Sequence, residues 1–109
     1  MEDNTVKNEF IAYKAKAGDS ILVYIADREV LGRREEDTTR GIILKVPEFM
    51  GKGHPLSRGD AMREMLRNPI IILYGEKVVE LAVELGLVDP QSILDVNGLK
   101  HVQIFKFTY

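Results

Sequence analysis

The residues best suited to chemistry in this chain are two histidines, a strand-end aspartate and a set of arginines. His54 lies in a glycine-rich stretch, FMGKGHPLS, and His101 opens the segment HVQIFKFTY. Asp27 closes the apolar run ILVYIA. A carboxylate and imidazoles gathered in one pocket can do acid–base work, so Asp27, His54 and His101 form the one candidate catalytic set. Their spacing lends it little support. A serine nucleophile would need a G-x-S-x-G elbow, and none exists. No His-x-x-x-His or Glu-x-x-His spacing places metal ligands on one helix face. There is no cysteine, so thiolate ligands and a thiol nucleophile are excluded. The residues thus point away from an enzyme, and they assign no metal, no cofactor and no catalytic residue.

The second chemistry is anion binding. The net charge is −2, which argues against indiscriminate nucleic-acid binding. The basic residues are nevertheless concentrated. Residues 28–67 hold nine basic against seven acidic side chains, and seven of the nine are arginine. Arginine presents a planar fork suited to phosphate and carboxylate. Glu35, Glu36 and Asp37 interrupt the run, as they would on an ordinary solvated face. Between Phe49 and Pro55 two glycines and Lys52 precede an expected helix start, where backbone N–H groups attract anions. The GKGH spacing is not a Walker A loop. Arg33, Arg34, Lys52, His54, Arg58 and Arg63 are therefore the candidate binding residues, for phosphate or an RNA backbone. The same glycines are expected wherever a chain must simply reverse direction.

The third is stacking. His101, Gln103, Phe105, Phe107 and Tyr109 alternate onto one face of the last strand, and Val102, Ile104 and Lys106 onto the other. An aromatic row on a sheet can stack single-stranded bases. Phenylalanine prefers burial so strongly that the expected place for Phe105 and Phe107 is the core, under a helix.

The elements that must position these groups follow from pattern. Residues 10–16 and 20–26 read as a hairpin about AGDS. Residues 41–46 read as a third strand, ended by Pro47. Ser57 is a candidate N-cap with Asp60 three residues on, and Ala61, Met62, Met65 and Leu66 supply the apolar stripe of a short helix. Residues 70–74, IIILY, show no alternation and read as a central strand covered on both faces. After Gly75, Val78, Leu81, Ala82 and Leu85 fall at helical spacing, and Gly86 suits a left-handed stop. Asn97-Gly98 between two apolar runs, 92–96 and 99–107, is a strong hairpin signal. The expected fold class is α+β. It is a mixed, mostly antiparallel sheet with two helices in the order β-β-β-α-β-α-β-β, and residues 41–74 make a parallel crossover.

Length and composition fit one domain: 109 residues, 45% hydrophobic and 29% charged. Residues 1–8 read as a flexible tail and residues 9–109 as the domain. MEDNTVKNEF has neither the basic nor the apolar region of a signal peptide, and no apolar run approaches ~20 residues. The expected location is the cytoplasm, with no membrane partner.

VYIADREVLG, EFMGKG, GEKVVELAVELGLVD and HVQIF, in that order, resemble the archaeal family catalogued as domain of unknown function 424. The resemblance covers residues 21–107. It implies that Asp27, Leu31, Gly32, Phe49, Gly51, Gly75, Glu76 and His101 are signature residues. Met50 stands where members often carry tyrosine, and Ile72 where many carry asparagine. The family has no established activity; the resemblance implies a loose association with translation and RNA-binding proteins. The leading expectation is an RNA- or ribonucleoprotein-binding accessory factor. The alternative is a protein-interaction module or homodimer, through an exposed strand edge or the Phe105 row. An enzyme using Asp27, His54 and His101 comes third.

Overall fold

In a computed structural model, which describes residues 8–107, the longest apolar runs pair into one six-stranded sheet. β1 (Phe10–Ala17) and β2 (Ser20–Asp27) form the expected hairpin, in register Tyr13 to Tyr24. β6 (Ile70–Tyr74) lies parallel to β2 and antiparallel to β8 (Leu99–Phe105). β7 (Leu94–Val96) and β5 (His54–Leu56) are the short outer strands, giving the order β5-β1-β2-β6-β8-β7. With four antiparallel pairings and one parallel, the sheet is mixed and mostly antiparallel, and the fold is α+β.

Each face of the sheet has its own core. Val23, Ile25, Ile71, Leu73, Val102 and Ile104 point to the side covered by α1 (Arg58–Arg67) and α2 (Glu76–Glu84). The alternate residues Ala26, Ile72, Tyr74 and Leu99 point the other way. There they meet Leu44 of β4 (Ile42–Lys45), which pairs with β3 (Arg34–Asp37), Val46 just after it, and Met50 in a 3-10 turn over Glu48–Lys52. The lack of alternation in IIILY is thus the signature of a strand covered on both faces, as expected.

Local chemistry sets the ends of the elements. Ser57 Oγ accepts the Asp60 N–H at 3.2 Å and caps α1. Gly86, at φ +74°, stops α2: its N–H reaches the Val83 carbonyl, and the Leu87 N–H reaches that of Ala82. That pair of bonds is a Schellman motif. Asn97 and Gly98 both take positive φ, 51° and 89°, as a type I′ hairpin requires.

Four expectations need correction. β3 and β5 are additional strands, so the order is β-β-β-β-β-α-β-α-β-β. β3 is REED, with no apolar pattern to reveal it; it forms because Asp37 Oδ1 accepts the Thr39 and Arg40 N–H groups and turns the chain back onto β4. β5 carries Pro55 in an edge strand, where a missing N–H is tolerated. The parallel partner of β6 is β2, not the strand beginning near Gly41, because β4 pairs with β3 in a separate two-stranded sheet. Residues 92–96 do not form one strand: Pro90–Ser92 is a 3-10 turn capped by Asp89, and β7 starts at Leu94. Leu66, expected on the buried stripe of α1, is exposed, and Val79 joins the buried stripe of α2 instead. Of the expected tail over residues 1–8, residues 1–7 lie outside the described residues, as do Thr108 and Tyr109.

Candidate functional site

The C-terminal ends of the parallel pair β2 and β6 bring together residues far apart in sequence. β2 ends at Asp27, which is 1% exposed and is the one buried charged side chain among the described residues. β6 ends at Tyr74, and after Gly75 α2 starts at once. Glycine has no side chain with which to cap that helix. Asp27 does it from the neighbouring strand: Oδ2 accepts the Lys77 N–H and Oδ1 the Val78 N–H, each at 2.9 Å. The carboxylate thus occupies the positive end of α2. Gly75 makes room for it, since a Cβ there would overlap the carboxylate, and its φ of +121° disfavours any other residue. Burial still pushes the Asp27 carboxyl above its ordinary value, outweighing the two N–H bonds that favour the charge.

A cleft of about 240 Å³ opens beside this junction, lined in part by Asp27, Glu29, Val30, Arg33, Glu76 and Lys77. Its two cations already have acidic neighbours. Arg33 bonds Glu35 at 2.9 Å, and Lys77 lies 3.5 Å from Glu9 and 4.0 Å from Glu29. Among the described residues no hydroxyl or imidazole side chain lines it. His101 sits on β8, stacked on Tyr74 with ring centroids 4.4 Å apart, and its Nδ1 meets the Leu73 carbonyl at 2.9 Å. Burial holds this imidazole below its usual pKa. His54 is exposed on β5, four strand spacings from β8, or roughly 19 Å. The two histidines therefore cannot share a proton, and the set Asp27, His54 and His101 is not one site. Among the described residues no group of three or more His, Cys, Asp or Glu is placed to hold a metal.

The six candidate binding residues are divided between the two faces of the sheet. Arg33 and Arg34 belong to the β3 side, and Lys52 ends the 3-10 turn that packs there. Arg58 and Arg63 belong to α1, on the opposite side, and His54 stands on an outer strand. Arg34 pairs with Glu36 at 3.4 Å, Arg58 with Glu84 at 3.1 Å, and Arg63 with Asp60. The glycine loop is also accounted for locally. Gly53 lets the chain pass against the Ala12 carbonyl of β1, where a Cβ would collide. Arg34 also lies directly opposite Lys45 in the β3–β4 register, a juxtaposition that no local pattern encodes.

The aromatic side chains settle differently from expectation. Phe49 packs on Tyr13 and Tyr24, with centroids 4.7 and 4.9 Å away, over the middle of the second face. Phe105 and Phe107 are not core residues: they are 52% and 79% exposed. β3, β4 and the 3-10 turn cover the half of that face nearest Tyr74 and Leave Phe105 at the other end, beside Ile70 and, one strand on, Leu22. The usable signal was a length mismatch. The run after Asn97-Gly98 is longer than the run before it, so part of β8 must outlast its partner.

The fold and this site define a small single-domain α+β protein with a filled helix cap, a shallow charged cleft and an open aromatic end to its sheet. By its match to the model of "Protein of unknown function (DUF424)" over residues 15–107, the chain belongs to that family. Its fold is similar to that of an uncharacterized conserved protein from Methanopyrus kandleri, with 20% identity, coverage of 92% of this chain and 95% of that one, and a TM-score of 0.69. Among curated proteins none matches. Of the signature candidates, Asp27 and Glu76 line the cleft, Gly75 lies against Asp27, and His101 lies one strand over beside Tyr74. Leu31 and Phe49 pack into the second core, while Gly32 and Gly51 are exposed in turns. Ile72, at the family's asparagine position, is buried in that same core. No helix among the described residues is long and apolar enough to cross a membrane.

Proposed function

We propose that this chain is a non-catalytic binding module of the cytoplasm that docks a protein partner on the open end of its sheet. The observation that carries this reading is the exposure of Phe105 and Phe107, with Phe105 beside the half-buried Ile70 and, one strand on, Leu22. Such a surface is apolar and aromatic, as the middle of a protein interface commonly is. Asp27, the residue most suggestive of catalysis, is used up as a helix cap. Affinity capture from extract tests the reading, with ribonuclease-treated samples and a Phe105→Lys variant in parallel. Proteins retained after ribonuclease and lost from the variant are the expected result. Identical captured sets from both chains would contradict it.

A second reading, an RNA- or ribonucleoprotein-binding accessory linked to translation, is favoured by the Arg34–Lys45 pair. Like charges opposite one another on a ladder repel, and an anion bridging them relieves the cost. In this reading Arg33 and Lys52 add charge on the same side. Arg34→Glu with Lys45→Glu then lowers RNA retention and flattens its dependence on salt; unchanged retention and slope would remove the reading.

A further inference from the structure

β8 runs for seven residues, but its outer partner β7 pairs only with Leu99 to His101. The direction of its main-chain groups can be read from two bonds. The Lys106 N–H donates to the Pro69 carbonyl, and the Lys100 carbonyl accepts from Gly75 N–H, so even-numbered residues face β6. Odd-numbered residues face outward. His101 meets β7; beyond it the N–H and C=O groups of Gln103 and Phe105 point to a side where no strand lies among the described residues.

An open edge of this kind recruits another strand unless it is guarded. The other margin of the sheet is guarded. β1 outlasts β5 there, and its open part carries Lys14 and Lys16, while β5 itself carries Pro55. Among the described residues nothing similar protects β8. Its open part presents Gln103 and Phe105, with Phe107 following, and the nearby cation Lys106 is turned away with its amino group donating to the Met65 carbonyl.

We propose that a second copy of this chain adds antiparallel along β8, about a two-fold axis at Phe105. This rests on the protein-docking reading above and names the partner. In that register Phe105 stands opposite the partner's Phe105, Gln103 opposite the partner's Phe107, and Ile104 opposite the partner's Lys106. No like charges meet. The same operation on β1 would set its lysines against one another. The two Phe105 rings also join the rows Leu22–Ile70–Phe105 of both copies into one apolar band. The two phenylalanines expose roughly 250 Å² per copy, against about 800 Å² per partner in a standard stable interface. The dimer is therefore one that dissociates on dilution.

Sedimentation velocity on the full chain, from ~1 µM to ~1 mM, tests this directly. The expected mass rises from 12.3 kDa toward twice that value. Phe105→Lys, which opposes two ammonium groups, stays at 12.3 kDa throughout. Gln103→Pro, which removes an outward N–H and no bond to β6, weakens association at least tenfold, and Lys16→Glu on the guarded margin behaves as wild type. Circular dichroism verifies that each variant is folded. A wild type at 12.3 kDa up to ~1 mM overturns the proposal, as does a dimer that survives both Phe105→Lys and Gln103→Pro. If the wild type is monomeric while Phe105→Lys still loses captured proteins, the dimer fails and the docking reading stands. If neither effect occurs, both fail.

Discussion

Asp27 and Phe105 each break an ordinary rule, one as a buried charge and the other as an exposed aromatic ring. The structure answers the first and not the second. Both oxygens of Asp27 accept N–H groups of α2, and Gly75 clears the space that the carboxylate needs. Among the described residues Phe105 has no such cover, and the main-chain groups beside it point away from the sheet's other strands. The difference separates two reasons for an unusual residue. A violation that the fold satisfies internally belongs to the scaffold. A violation that the fold leaves open points outward, to something that must complete it.

The largest effect that can break this comparison is expected from Gly75→Ala. The new Cβ meets the Asp27 carboxylate and the backbone stays at φ +121°, so a loss of about 3 kcal/mol or more is expected. That is a large share of the ~5–15 kcal/mol that holds a typical domain. Urea denaturation measures it; a loss of a few tenths would mean that the cap is dispensable. Next comes Asp27→Ala, which leaves two N–H groups without their acceptor, at about 2–4 kcal/mol, with Asp27→Asn costing less. The pH dependence of that second pair sharpens the point. Asp27 has a folded pKa above its ordinary 3.8, so the native state holds its proton more tightly than the unfolded chain does. The resulting stability is full below 3.8 and is lost as pH rises through the folded value. The stability difference between wild type and Asp27→Asn should therefore shrink with rising pH. Asp37 and Asp60, held low by Arg40 and Arg63, have the opposite sign, but they are common to both chains and cancel.

His101 contributes in the other direction. Its folded pKa is depressed by burial, so its share of stability is present above 6.5 and is lost as pH falls through the folded value. His101→Phe, which keeps a ring on Tyr74, should soften acid destabilisation between neutral and mildly acidic pH in thermal melts. The smallest change in stability is expected from Phe105→Lys, within about 0.5 kcal/mol, because its ring already faces solvent. A large loss there would move Phe105 into the same class as Asp27.

Much of the scaffold was legible in the sequence because its signals are local. IIILY, the stripe through Val78 and Leu81, the Gly86 stop and the Asn97-Gly98 turn each specify their own conformation. β3 was not legible, since four polar residues reveal nothing until β4 lies beside them. Nor was the β2–β6 pairing, which is a long-range choice that no local pattern encodes. Asp27 and Gly75 could each be picked out, but not their contact, because nearly fifty residues separate them. The phenylalanines misled for a physical reason: burial is their usual fate, and only the shortness of β7 and the reach of β3–β4 leave them uncovered. The arrangement of the arginines was not legible either, because residues clustered in sequence are divided here between the two faces of the sheet.

The most direct test is amide hydrogen exchange on β8 at two protein concentrations. If a second chain completes this edge, the Gln103 and Phe105 amides gain protection at high concentration, while Ile104, which faces β6, is unchanged. Exchange at Gln103 and Phe105 that is equally fast at both concentrations would contradict the account.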